Sequence, residues 1–234
     1  MATMKLQKET NLRRTGHGRW YDDACGTAFA MELVGERWSL LVVRELMLGP
    51  RRFSDLRASL PGISAKVLTE RLASLEEAGV LAKRRLPLPA PAQVYELTEW
   101  GYCAEPLIQE LGRWAAMSSR HDPTLPLSPV SLMLSMRTMF DPAKAGAMEA
   151  VIGFDVGGEQ FVARMNDGTL PIERANPRSA QAVFRAPDAM VVAGLLYADA
   201  PVEDLEAGAG LVIEGDRELA LSFADIFELP APLA

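Results

Sequence analysis

The chain has little of the chemistry that catalysis, metal binding or secretion usually needs. Its 234 residues include only two cysteines and two histidines. Cys25 and Cys103 make no disulfide framework, and His17 and His121 do not join them in a metal-ligand spacing. The second half shows no paired carboxylates, nucleophile–base set or phosphate loop, and Gly157-Gly158 reads as a turn. No enzyme and no cofactor are expected. No N-terminal stretch joins a basic start to an apolar run, so no signal peptide is expected. The longest apolar run near a possible span, Met190 to Ala198, contains a glycine and is far too short for a membrane helix. The cytoplasm is the expected compartment, with no membrane partner.

What is present is a globular composition. Hydrophobic residues make up 49% and charged residues 24%, enough for a sizeable core. The length suits one large or two ordinary domains. The net charge of −7 argues at first against a nucleic-acid partner. Its distribution removes the objection. Residues 1 to 120 carry 17 Lys+Arg and 14 Asp+Glu, a charge of +3; residues 121 to 234 carry 7 and 17, a charge of −10. The acidic half is expected to face away from any polyanion.

The positive half is organised around residues 53 to 85, FSDLRASLPGISAKVLTERLASLEEAGVLAKRR. Phe53, Leu56 and Leu60 recur at helical spacing, and Pro61-Gly62 stops that helix. Ser64 is a good N-cap for a second helix and Gly79 a good terminator. Leu68, Leu72 and Leu75, spaced by four and three, make one apolar stripe. The opposite face carries Lys66, Thr69, Glu70 and Ala73. Such shapes also occur in ordinary surface helices. The segment after Gly79 favours DNA: a strand over 80 to 86 containing Lys83-Arg84-Arg85, a proline-rich loop, and a strand over 93 to 97. This is a β-hairpin with a basic flank, placed where a winged helix-turn-helix carries its wing. Three cations beside a recognition helix suit phosphate contacts.

Residues 25 to about 118 resemble the HxlR-type winged-helix transcription regulators. The resemblance lies in CGTAFAMELVGERWSLLVVRELMLGPRRFSDLRASLPGISAKVLTERLASLEEAGVL and, after the wing, in VYELTEWGYCAEPLIQELGRWA. It implies a homodimer on a two-fold operator. Some relatives sense oxidants or electrophiles through a cysteine in the early helix, which makes Cys25 a possible redox residue. Asp22 and Asp23 stand just upstream and are expected to raise its pKa, so a quiet, partly buried thiol is expected. Cys103 reads as packing.

Taken in order, residues 1 to 20 form a basic arm, expected to be flexible. A short helix covers 25 to 34. A more apolar one covers 36 to 48, with Trp38 in the core, and is the spine of a domain over 21 to 120. Arg51 and Arg52 could meet phosphate at the start of the next helix. A long helix opens at Thr98, kinked at Pro106, and its face of Leu107, Ile108, Leu111 and Trp114 needs a cover. That helix, with residues 25 to 34, is the predicted dimer contact. HDPTLPLSP at 121 to 129 reads as a stiff linker.

Residues 130 to 234 form the second domain. A helix over 130 to 140 precedes strands over 150 to 156, 160 to 165, 169 to 174 and 182 to 185, with a hairpin signal at Asn166-Asp167-Gly168. Helices over 190 to 197 and 201 to 207, a strand over 211 to 213 and a helix over 217 to 227 complete it. The fold class is α+β, a winged helix-turn-helix followed by a mostly antiparallel sheet covered by helices on one face. The NDG turn, PDAMVVAGLL and GLVIEGDRELALSF resemble a sterol-carrier-protein type domain. That resemblance implies an apolar tunnel and a hydrophobic ligand. Met133, Met136, Phe140, Phe154, Phe161, Met165, Phe184, Met190, Phe223 and Phe227 are the candidate lining, with a plain core as the alternative.

The expected function is a dimeric DNA-binding transcription regulator, more repressor than activator, modulated by an apolar or amphipathic effector. Lys66 and Thr69 are the expected base contacts. Ser64, Arg71, Lys83, Arg84 and Arg85 are expected on the backbone, beside Arg51 and Arg52. One alternative is a Cys25 redox switch with a structural second domain. The other is a lipid-binding protein whose winged domain contacts proteins.

Overall fold

A computed structural model describes residues 21–87 and 91–233. The basic arm expected over 1 to 20 and the tip of the wing lie outside these residues.

The first half comprises α1 (Gly26–Val34), α2 (Ser39–Leu46), α3 (Phe53–Ser59), α4 (Ala65–Glu77), β1 (Leu81–Arg85), β2 (Gln93–Leu97), α5 (Glu99–Tyr102) and α6 (Glu105–Ala116). Helix α2 is its spine, with Val42, Val43 and Leu46 fully buried. It starts three residues later than the apolar run suggests. Trp38 adopts a left-handed backbone, φ +80°, which a helix cannot continue through. Its half-buried ring still packs against the core.

Helix α4 follows the sequence closely. Ser64 Oγ accepts the Val67 amide at 3.2 Å and satisfies one orphan donor of the first turn. Leu68, Leu72 and Leu75 are each at most 1% exposed. Gly79 takes φ +75° and ends the helix where a side chain would be strained. Strands β1 and β2 then pair antiparallel, from Leu81 opposite Leu97 to Arg85 opposite Gln93. The long helix expected from Thr98 is two helices. Pro106 does not kink a continuous helix; it sits in the first turn of α6, where its missing N–H breaks no bond.

The second half comprises α7 (Pro129–Met139), α8 (Pro142–Ala145), β3 (Ala150–Val156), β4 (Glu159–Met165), β5 (Ile172–Glu173), β6 (Ala182–Ala186), α9 (Ala189–Tyr197), α10 (Val202–Gly208), β7 (Val212–Gly215) and α11 (Arg217–Ala224). The sheet order is β5-β4-β3-β6-β7. Only β3 and β6 pair in parallel. Alternation sets its faces: Ile152, Phe154, Phe161, Ala163 and Phe184 are fully buried, while Asp155, Gln160 and Arg185 point the other way. Asp167 and Gly168 both take positive φ, and Asn166 bridges Thr169, as a tight hairpin requires. The strand expected over 169 to 174 shrinks to Ile172–Glu173, because Pro171 has no N–H to give the ladder.

One apolar cluster runs through both halves, from Val42 and Leu46 to Val130, Met133 and Phe154. The first half therefore does not float on a free tether. At the end of the proline-rich stretch, Ser128 Oγ caps α7 by accepting the Ser131 amide and donates to Glu45 Oε1 at 2.6 Å.

Candidate nucleic-acid interface

The turn between α3 and α4 aims the first turns of α4 outward. Lys66 is 87% exposed and pairs only loosely with Glu70, at 3.9 Å. An exposed pair of this kind contributes little, so the ammonium is free to find another anion. Thr69 is exposed; its hydroxyl donates to Ala65 O at 2.9 Å, which leaves its lone pairs outward. Ser64 sits at the same end. The structure thus brings Ser64, Lys66 and Thr69 onto one open surface.

The flanking cations divide into three groups. Arg52, before α3, is exposed. Arg85, on the wing, is exposed and makes no ion pair among the described residues. Arg57 on α3 is equally exposed and unpaired among them, and sequence reasoning missed it. Its place on the outward side of α3, next to buried Leu56, was the available signal. Lys83, Arg84 and Arg71 are already engaged. Lys83 meets Glu76 at 3.0 Å, and that carboxylate raises its pKa. It also lies 5.8 Å over the Tyr95 ring. Arg84 meets Glu96 at 2.8 Å. Arg71 is 14% exposed and held by Glu36 at 2.9 Å.

Arg51 belongs to a third category and corrects the expectation of a phosphate contact. It is 6% exposed. Its backbone exchanges both hydrogen bonds with Tyr95 of the wing, at 2.9 and 2.8 Å. That pairing turns the side chain inward, where Nη1 meets Glu45 at 3.3 Å and Nη2 meets Glu159 at 2.8 Å. Glu45 is fully buried, and its Oε1 also accepts from Arg44 at 2.9 Å. Arg174 closes the chain on Glu159. A buried polar junction therefore runs from α2 through Arg51 to the sheet edge, with Ser128 on it.

Cys25 occupies the N-cap position of α1, makes no capping hydrogen bond through its side chain, and is exposed, not partly buried. Its thiol pKa is lowered, first by the backbone amide of Ala28 and then by that of Thr27. The expected upward push from the aspartates is overturned: the net shift at the helix start is downward. Asp23, meanwhile, accepts the Cys25 amide at 2.9 Å. Cys103 is exposed too, rather than packed.

The apolar candidates of the second half are brought together, as core. Met133, Met136, Phe154, Phe161, Met165, Phe184, Phe223 and Phe227 are at most 5% exposed. Phe154 stacks on Phe184 at 5.5 Å, and Phe223 meets Phe227 edge-on at 5.1 Å. Phe140 is half-buried and 6.5 Å from Phe227, and Met190 is half-buried on α9. No helix among the described residues is long and apolar enough to cross a membrane.

The HxlR-like helix-turn-helix family model matches residues 33–123. The HTH-type transcriptional regulator YodB of Bacillus subtilis is 38% identical over 86 residues, which cover 37% of this chain and 77% of YodB. YvaP, an uncharacterized HTH-type transcriptional regulator of the same organism, is 37% identical over 86 residues, covering 37% of this chain and 80% of its own. The solved reduced form of YodB superposes with a TM-score of 0.38 at 35% identity, over 42% of this chain and 98% of that one. With 77% of YodB covered at this identity, the chain belongs to the HxlR-like helix-turn-helix family of transcriptional regulators.

Proposed function

We propose that the protein is a DNA-binding repressor that holds a two-fold operator as a dimer. The observation that carries this reading is the open surface at the start of α4, where Ser64, Lys66 and Thr69 stand together and the first turn of the helix has no acidic residue. Helices presented in this way enter the major groove by their N-terminal turns. Lys66 and Thr69 face base edges. Arg52, Arg57 and Arg85 supply free phosphate contacts. Lys83 and Arg84 join them by exchanging an internal carboxylate for a phosphate.

Dimerisation uses α1 and α6. Helix α1 buries none of its residues and exposes Phe29 and Met31. Helix α6 exposes Leu107, Leu111 and Trp114, spaced four and three apart, with Trp114 at 71%. A stripe of that size needs an apolar cover, and a second copy brings an identical one. Residues 21–120 are the DNA-binding and dimerising unit, 121–129 the connector, and 130–234 a sterol-carrier-like effector unit. An apolar effector there must part the Met133, Met136 and Phe154 cluster, and its binding then changes the spacing of the two α4 helices.

Binding to promoter fragments as a function of salt tests the DNA reading. Affinity should fall steeply, with a logarithmic slope of about −0.9 per phosphate neutralised. Binding indifferent to salt sinks it.

A second reading is supported by Cys25, whose thiol is exposed with a lowered pKa. In it, oxidation or alkylation of Cys25 releases the operator. Cys25→Ser should then keep operator binding under oxidant; release unchanged in that variant removes the reading.

A further inference from the structure

We propose that the cleft between α3 and β4 is a binding site for a small monocarboxylic acid. The cleft has a volume of about 350 Å³ and is lined by Pro50, Arg51, Asp55, Ala58, Ser59, Glu159 and Arg174. That is the size of a small-molecule pocket. One wall is the first helix of the helix-turn-helix, and the other is the edge of the second-half sheet.

Arg174 identifies the ligand's class. Its guanidinium lies 4.8 Å over the fully buried Phe161 ring, and its Nη1 is bound to Glu159. Its Nε and Nη2 are buried and have no hydrogen-bond partner among the described residues. A buried donor without a partner is destabilising, because it has given up water and gained nothing in exchange. A carboxylate satisfies two neighbouring guanidinium donors at once, in the bidentate geometry that such groups favour. Arg51 offers no such opening, because Glu45 and Glu159 already hold it. The unpartnered nitrogens are shut off from water, so the acid reaches them by drawing the guanidinium into the cleft that Arg174 lines.

The other walls narrow the choice. Asp55 and Glu159 are both acidic, so a multiply charged phosphate meets repulsion that one carboxylate largely escapes. Pro50 and Ala58 give an apolar wall for a small hydrocarbon body, and Asp55 accepts from a hydroxyl. This site is distinct from the apolar core of the second half. Through Ala58 and Ser59 the acid would press on α3 and shift α4. That consequence rests on the DNA-binding reading; occupancy of the cleft does not.

The test is calorimetric titration of the full chain, without DNA, with acetate, benzoate, 4-hydroxybenzoate, benzamide and inorganic phosphate. At least one of the three acids should bind, with benzamide and phosphate at least about tenfold weaker. Arg174→Gln should weaken the acid by about tenfold or more. Ala58→Phe, at an exposed position, should fill the cleft and abolish binding while the melting temperature holds. The proposal is overturned if none of the three acids binds below about 10 mM. It is also overturned if phosphate matches them, or if binding survives unchanged in both variants. Because DNA is absent, none of these failures bears on operator binding.

Discussion

Replacing Arg51 by alanine separates two roles that its neighbour Arg52 makes look alike. As a phosphate contact, the loss would reduce the salt slope of DNA binding by about one and leave stability unchanged. The structure calls for the opposite. Arg51 is 6% exposed and bonded to two carboxylates, one of them fully buried. Removing it strands Glu45 with only Arg44 and Ser128, and Glu159 with only Arg174. Breaking a buried pair by deleting one partner costs about 3–5 kcal/mol. For a chain of this size each kcal/mol lowers Tm by about 2–4 °C, so a fall of roughly 6 to 20 °C is expected. The Tyr95 backbone pairing survives the substitution and keeps α3 in place. Thermal and urea unfolding measure the loss, and a double-mutant cycle with Glu45→Gln should show coupling of about 0.5–3 kcal/mol. Arg52→Ala is the control: Tm within a degree or two and a shallower salt slope. An Arg51→Ala protein with unaltered Tm and a shallower slope would refute the argument.

Lys66→Ala and Thr69→Ala should each weaken operator binding by about 1–3 kcal/mol, with unfolding unchanged within about 0.5 kcal/mol; equal affinity in gel-shift titrations removes them from the interface. If the proposed dimer forms through α6, Trp114→Glu with Leu111→Ser should sediment as a monomer where the parent chain sediments as a dimer, and a dimer persisting in the variant moves the contact elsewhere. Leu72→Ala should cost about 2–5 kcal/mol in urea unfolding, because its side chain is fully enclosed. The Cys25 thiol has a lowered pKa, so its charged form persists to lower pH than in free cysteine. The rate of its alkylation should climb with pH and reach half-maximum at a lower pH than for a free cysteine peptide titrated alongside. A midpoint at or above that of the peptide contradicts the role of the helix-start amides.

Helix α4 is legible in the sequence because its signals are local. Ser64 caps it, Gly79 ends it, and three leucines repeat at the helix period. The hairpin at Asn166 to Thr169 is equally legible, since positive φ at Asp167 and Gly168 is a property of those residue types. The sheet alternation around Phe154 and Phe161 and the open stripe of α6 belong to the same class. Period alone says which residues share a face.

What neighbours along the chain could not reveal was what each face meets. Arg51 and Arg52 are the same residue type side by side, yet one is buried and one exposed. The difference comes from Tyr95 pairing with the Arg51 backbone and from Glu159, 108 residues away. The parallel pairing of β3 with β6 spans two intervening strands, β4 and β5, so no turn signal announces it. The aspartates near Cys25 suggested an upward shift, but the groups that set the thiol are those of the helix start, and they lower it. Local pattern decided the elements, because capping, period and φ act within a few residues. Burial, ion-pair partners and the closure of the two halves on one another waited for the fold, because those interactions join residues that only tertiary packing brings within about 4 Å.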